Sequence, residues 1–109
     1  MISVDGRRAG AWLALREGAA LSARCVLEGG RPSASTYEWW LEGAEGARES
    51  LANNSAGAEL LVDKVPRDWH NATLICAAAH PAVEHIIRAT TILNISCEYF
   101  FGHFHLKFV

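Results

Sequence analysis

Residues 21–41 read LSARCVLEGGRPSASTYEWWL, and they contain the two features that decide the fold. Apolar and polar residues alternate around Cys25 in the first part, and they alternate again around the adjacent Trp39 and Trp40 in the last part. Alternation with a period of two predicts β-strands that bury one face. Segment 28–33 is rich in glycine, proline and serine, so it favours a turn between the two strands.

A third alternating segment surrounds the second cysteine of interest, where Leu74, Cys76 and Ala78 share one face. A bridge from Cys25 to Cys76 would join the two layers of an antiparallel sandwich, and a large aromatic residue would pack against it. Trp39 is the expected core tryptophan, because a charged residue (Glu38) lies on the face of Trp40. Closing a loop of about 50 residues in this way stabilises a fold by roughly 4 kcal/mol.

Instead of forming a disulfide, the two cysteines could be ligands of a metal ion. Cys25 and Cys76 could bind zinc together with His70 or His80. Structural zinc sites usually contain closely spaced ligand pairs, and the chain has no Cys-x-x-Cys pair. The sequence therefore favours the disulfide and predicts neither a metal nor a cofactor.

Size and charge restrict the class of protein. The 109 residues suit one domain, and half of them are apolar, which is enough for a core. The net charge of −2 and the scattered basic residues do not provide the positive surface that nucleic acid or anionic lipid requires. No apolar stretch approaches the roughly 20 residues of a membrane-spanning helix, so we expect no membrane insertion by this segment.

Three asparagines, Asn53, Asn71 and Asn94, begin acceptor triplets for N-glycosylation. Together with the expected disulfide they favour an extracellular or cell-surface location. The first ten residues are polar and basic and do not resemble a secretory signal. We therefore expect the chain to be part of a longer secreted or membrane protein with neighbouring domains, or the product of an incomplete gene model.

With these segments placed, the chain resembles the immunoglobulin superfamily, in particular the constant or intermediate-type domains of nectins, synaptic adhesion molecules, nephrin-like proteins and arthropod sidestep proteins. The resemblance is carried by residues 25–32, the Glu38-Trp39-Trp40 strand, residues 72–81 and residues 93–95. It implies an all-β, immunoglobulin-like antiparallel sandwich with one inter-sheet disulfide, over residues 11–96. Residues 1–10 are then an N-terminal extension, and the aromatic residues 97–109 are a tail outside the domain.

The chain departs from the family pattern at the second cysteine strand and from Cys97 onward, where relatives have a short linker to the next domain. Many members have a tyrosine two residues before the second cysteine, and Leu74 occupies that position here. We expect Trp69 to fill the adjacent end of the core instead. Trp12 is expected to pack on the first strand.

The resemblance implies a non-catalytic module of an adhesion or recognition receptor, which binds proteins or spaces binding domains. The implied partner is another cell-surface protein of the same superfamily, with Trp40 and Arg31 as candidate contacts. Two alternatives are a secreted recognition protein and a truncated or mispredicted fragment without independent function. An enzyme is disfavoured, because nothing places a histidine against the remaining thiol of Cys97.

Overall fold

The alternating segments form strands in a computed structural model, which describes residues 2–4, 7–26, 36–43, 45–79, 87–101 and 104–108. For residue 87, residues 97–101 and residues 104–108 the description covers the backbone alone. The first sheet has the strand order β2-β1-β4-β8-β7. Its strands are β1 (Ile2–Val4), β2 (Arg7–Arg8), β4 (Leu21–Cys25), β7 (Ser55–Ala56) and β8 (Glu59–Val62).

The second sheet has the order β11-β10-β9-β5-β6, and β3 also pairs with β10. Its strands are β3 (Trp12–Arg16), β5 (Thr36–Glu42), β6 (Arg48–Ser50), β9 (Thr73–Ala79), β10 (Ile87–Phe101) and β11 (Phe104–Phe108). Short 3₁₀ turns at Ala52–Asn54 and Arg67–Trp69 connect strands of the two sheets.

The core lies between the sheets and is crossed by a disulfide. Cys25 on β4 is bonded to Cys76 on β9, with a Cα–Cα distance of 6.3 Å. Alternate residues of the strands point into this layer, among them Leu60, Leu74 and Leu93, which are fully buried. The predicted all-β antiparallel sandwich with one inter-sheet disulfide is confirmed.

One strand pair departs from antiparallel pairing. β3 runs parallel to β10, with Leu13 opposite Leu93. The chain reaches this position by leaving the first sheet after β2 and crossing to the second around Gly10. The buried hydroxyl of Thr91 donates a hydrogen bond of 2.8 Å to the carbonyl of Gly10, which ties the crossing segment to β10.

Both ends of the chain contain strands. Residues 1–10 were expected to be an extension, and Ile2–Val4 pair with β4, where Ile2 is 2% exposed. Strand β10 continues past residue 96 to Phe101, and β11 pairs with this continuation from Phe104 to Phe108. The backbone of the expected aromatic tail is therefore a hairpin that prolongs the second sheet.

Candidate binding face

The two adjacent tryptophans of β5 point to opposite sides of the second sheet. Trp39 is 1% exposed and lies directly opposite Cys76 in the pairing of β5 with β9. The disulfide and this indole thus lie side by side on the core side of the sheet. Trp40 is half-buried and points away from the core. Its indole N–H donates a 3.2 Å hydrogen bond to Oε2 of Glu38, which shares its side of the strand.

An isoleucine beside Trp40 is buried outside the core. Ile75 lies opposite Trp40 on β9 and is 5% exposed, although it is not part of the core cluster. Its neighbour on the other side is Thr90 of β10. Ile75 is thus buried on the side of the sheet away from the core, next to Trp40 in the strand pairing. The pair forms an apolar patch on the outside of the sandwich.

Trp12 extends this apolar surface at the edge of the sheet. It is 59% exposed, and it pairs with the half-buried Ile92 of β10. The expectation that Trp12 packs on the first strand was wrong, because Leu13 and Leu15 are the β3 residues that face the core. We call the outward side of β6, β5, β9, β10 and β3 the outer face.

Charged residues border the apolar part of the outer face. Glu38 and Arg88 are both exposed and lie on either side of Ala77 in the strand pairing. Glu42 lies further along β5, where its Oε2 is 3.9 Å from Nε of Arg48 on β6. The outer face therefore combines two tryptophans and two isoleucines with charged side chains, two of which form an ion pair.

The corner before β9 depends on a histidine that sequence reasoning considered only as a metal ligand. Nδ1 of His70 accepts a 2.9 Å hydrogen bond from the backbone N–H of Ile95. The next residue, Asn71, adopts a left-handed backbone with φ of 65°, and its N–H donates to the carbonyl of Leu93. Trp69 is partly buried against the core at the same corner. His70 and Trp69 thus both contribute to the end of the sandwich at the corner before β9.

Replacing His70 by alanine is expected to lower the free energy of unfolding by about 1–3 kcal/mol, because the N–H of Ile95 loses its acceptor in a part-buried site. His70→Asn is the matched control, since the asparagine side chain can place an acceptor near the position of Nδ1. Urea denaturation should show a smaller loss for asparagine than for alanine. Equal losses would mean that the hydrogen bond does not stabilise the fold.

The remaining predicted site residues have different positions. Asn53 and Asn71 are exposed in turns, and Asn94 is half-buried on β10, on the outer face beyond Ile92. A glycan at Asn94 would border the face at the end away from Glu38. Arg31 lies outside the described residues.

The described residues do not support the metal alternative. Cys25 and Cys76 bind each other, and Nδ1 of His70 is hydrogen-bonded to the backbone. Within the described ranges, no group of three or more His, Cys, Asp or Glu side chains is placed to hold a metal ion.

No family model matches the chain, and no curated protein matches it. Across the part of the chain that the structure describes, no helix combines the length and hydrophobicity needed to cross a membrane. Function is therefore inferred from the residues of the outer face.

Proposed function

We propose that this chain is a non-catalytic, immunoglobulin-like module of an extracellular adhesion or recognition receptor, which binds another protein through its outer face. The observation that carries the proposal is the apolar group of Trp12, Trp40, Ile75 and Ile92 on the side of the sheet opposite the core. Contiguous apolar residues bordered by polar ones are typical of protein-binding surfaces.

The geometry of Trp40 supports a contact role. Its indole N–H donates a hydrogen bond to Glu38 on the same face, which reduces the side-chain entropy that binding a partner would cost. Tryptophan and arginine are enriched among residues that dominate binding energy, and Trp12, Trp40, Arg48 and Arg88 all occupy this face. Strands rather than loops carry these side chains, which fixes their relative positions.

The disulfide supports an extracellular location, because such bonds persist in oxidising compartments. The three acceptor triplets for N-glycosylation agree with the same route. The arrangement of Cys25, Cys76 and Trp39 between two sheets agrees with the immunoglobulin resemblance. A cell-surface protein of the same superfamily is the partner class we propose, with neighbouring domains in a longer chain.

A binding assay on an array of cell-surface ectodomains tests this proposal. The chain, secreted from eukaryotic cells and displayed as multimers, is compared with its Trp40→Arg and Trp12→Arg variants. Each variant is expected to weaken binding about tenfold or more, or roughly 1.4 kcal/mol, because it places a charge in the apolar contact.

Leu61→Arg is the matched control for this assay. Leu61 is 55% exposed on β8, on the outside of the opposite sheet, so its substitution alters a comparable apolar residue away from the outer face. Binding that survives both tryptophan substitutions, or that Leu61→Arg abolishes equally, would rule out the outer face as the contact.

A further inference from the structure

Arg7 and Arg8 are the only two basic residues that are adjacent in the sequence. They make up β2, which is the end strand of the first sheet within the described ranges, and both side chains are exposed. We propose that the peptide bond between Arg8 and Ala9 is a processing site for a secretory endoprotease that recognises paired basic residues, and that its hydrolysis releases β1 and β2. This inference uses the extracellular location proposed above, but not the outer face.

The paired arginines supply the side-chain chemistry of such a site. An endoprotease with two acidic pockets, one for the residue at the cut and one for the residue before it, can hold each guanidinium by charge-assisted, bidentate hydrogen bonds. Ala9 and Gly10 follow the bond, so neither a proline nor a bulky side chain lies on the other side of the cut. Every other arginine and lysine of the chain stands alone, which distinguishes this bond from all other basic positions.

The backbone of β2 presents this bond in an accessible form. Successive residues of an antiparallel strand direct their N–H and C=O groups to opposite sides. The N–H of Ala9 donates a 2.8 Å hydrogen bond to the carbonyl of Ile2 on β1, and Arg8 lies opposite Ser3. The N–H and carbonyl of Arg8 therefore point away from β1, toward the edge of the sheet. A protease that adds its own extended segment at this edge reaches the carbonyl carbon of Arg8 without displacing β1.

Hydrolysis requires only a local opening of the sheet. The bond from the N–H of Ala9 to Ile2 has to break, and short strands at the edge of a sheet near a chain end open at a low cost in free energy. Water then adds to the carbonyl carbon of Arg8, and the C–N bond to Ala9 breaks. The products are a carboxylate on Arg8 and an amino group on Ala9, and one water molecule is consumed.

Cutting this bond leaves residues 1–8 attached by noncovalent contacts alone. Ile2–Val4 pair with β4, where Ile2 is buried and Val4 packs against the core. Three paired residues bury too little surface to offset the translational and rotational freedom that a separate peptide gains by leaving. The peptide therefore dissociates, and β4 becomes the end strand of the first sheet. The bridge between Cys25 and Cys76 lies outside the released segment.

The release of β1 has a signature at one backbone amide. The N–H of Cys25 donates a 2.8 Å hydrogen bond to the carbonyl of Ala58, on the side of β4 away from β1. The preceding residue, Arg24, therefore directs its backbone groups toward β1, where Ser3 lies opposite. We expect the hydrogen-exchange rate of the Arg24 amide to rise about tenfold or more after release, because its partner is lost. The Cys25 amide keeps its partner and is the internal control.

Digestion of the folded protein by a purified dibasic-specific endoprotease of the secretory pathway tests the site. The full chain is secreted from cells treated with an inhibitor of these enzymes, and the digest is followed by intact mass spectrometry. We expect one early product that begins at Ala9. Arg7→Gln should be cut there about tenfold more slowly or less, because one guanidinium contact is lost, and Arg8→Gln should not be cut there. Both side chains are exposed, so both variants should keep the circular dichroism spectrum of the starting protein.

A folded chain that is not cut after Arg8 would overturn the site, and cutting of the reduced, denatured chain alone would show that the fold protects the bond. Equal rates for Arg7→Gln and the starting protein would overturn recognition of the pair. Native mass spectrometry that finds residues 1–8 still bound after the cut, or unchanged exchange at Arg24, would overturn the release. None of these results bears on the outer face, which the ectodomain assay tests separately.

Discussion

Replacing both Cys25 and Cys76 by alanine is expected to lower the free energy of unfolding by about 4 kcal/mol. The bond closes a long loop and joins β4 to β9, so its removal enlarges the unfolded ensemble. A domain of this size is typically stable by about 5–15 kcal/mol, and the loss would be a large part of that. The variant should unfold at markedly lower denaturant concentration.

Guanidinium denaturation at equilibrium measures this difference. Both proteins carry Cys97→Ser, which prevents the third cysteine from exchanging with the bridge. If the alanine variant does not fold, the comparison is made between the oxidised and the reduced chain with intact cysteines. Equal stability with and without the bridge would show that the sandwich does not depend on it.

Trp39→Ala is expected to lower the free energy of unfolding by about 3–5 kcal/mol, which is the usual cost of emptying a large aromatic site in a core. Trp39 is 1% exposed and lies opposite Cys76, between the two sheets. The neighbouring segments are strands in fixed register, so we expect them to relax only partly into the cavity. Thermal and urea denaturation should both show the loss.

Two matched variants separate the contributions of the tryptophans. Trp39→Phe should cost much less than alanine, because it keeps most of the volume and removes an indole N–H that has no partner among the described residues. Trp40→Ala, one residue away on the outer face, should change stability by less than Trp39→Ala while weakening binding. Similar stability losses for Trp39→Ala and Trp40→Ala would contradict this division of roles.

The sandwich could be predicted because short-range patterns in the sequence mark its strands. Period-two alternation around Cys25 and Cys76 determines which side chains share a face, and a one-residue shift would reverse every one of them. The alternation also distinguishes Trp39 from Trp40, since Glu38 shares a face with only one of them. These inferences require no knowledge of which strands are neighbours.

The features that sequence reasoning missed depend on long-range pairing. Ile2–Val4 and β3 belong to different sheets, and only the pairing of β3 with β10 explains why Leu13 and Leu15 are turned inward and Trp12 outward. His70 gave no sequence signal for its role, because its partner is a backbone N–H 25 residues away.

The outer face could likewise be predicted only in part from the sequence. Trp40 could be placed on an outer surface from alternation alone. Its neighbours Ile75 and Thr90 and the opposition of Glu38 and Arg88 across Ala77 follow from the registers of β5, β9 and β10. A surface of this kind consists of residues from separate strands, so no contiguous motif encodes it.

Peptide mapping of the secreted chain tests the foundation of this account most directly. The protein is expressed in eukaryotic secretory cells, alkylated without reduction, digested and analysed by mass spectrometry. We predict a linked pair of peptides that contain Cys25 and Cys76, with Cys97 in neither. A well-folded product in which Cys25 and Cys76 are both alkylated would contradict the inter-sheet bridge and the extracellular function inferred from it.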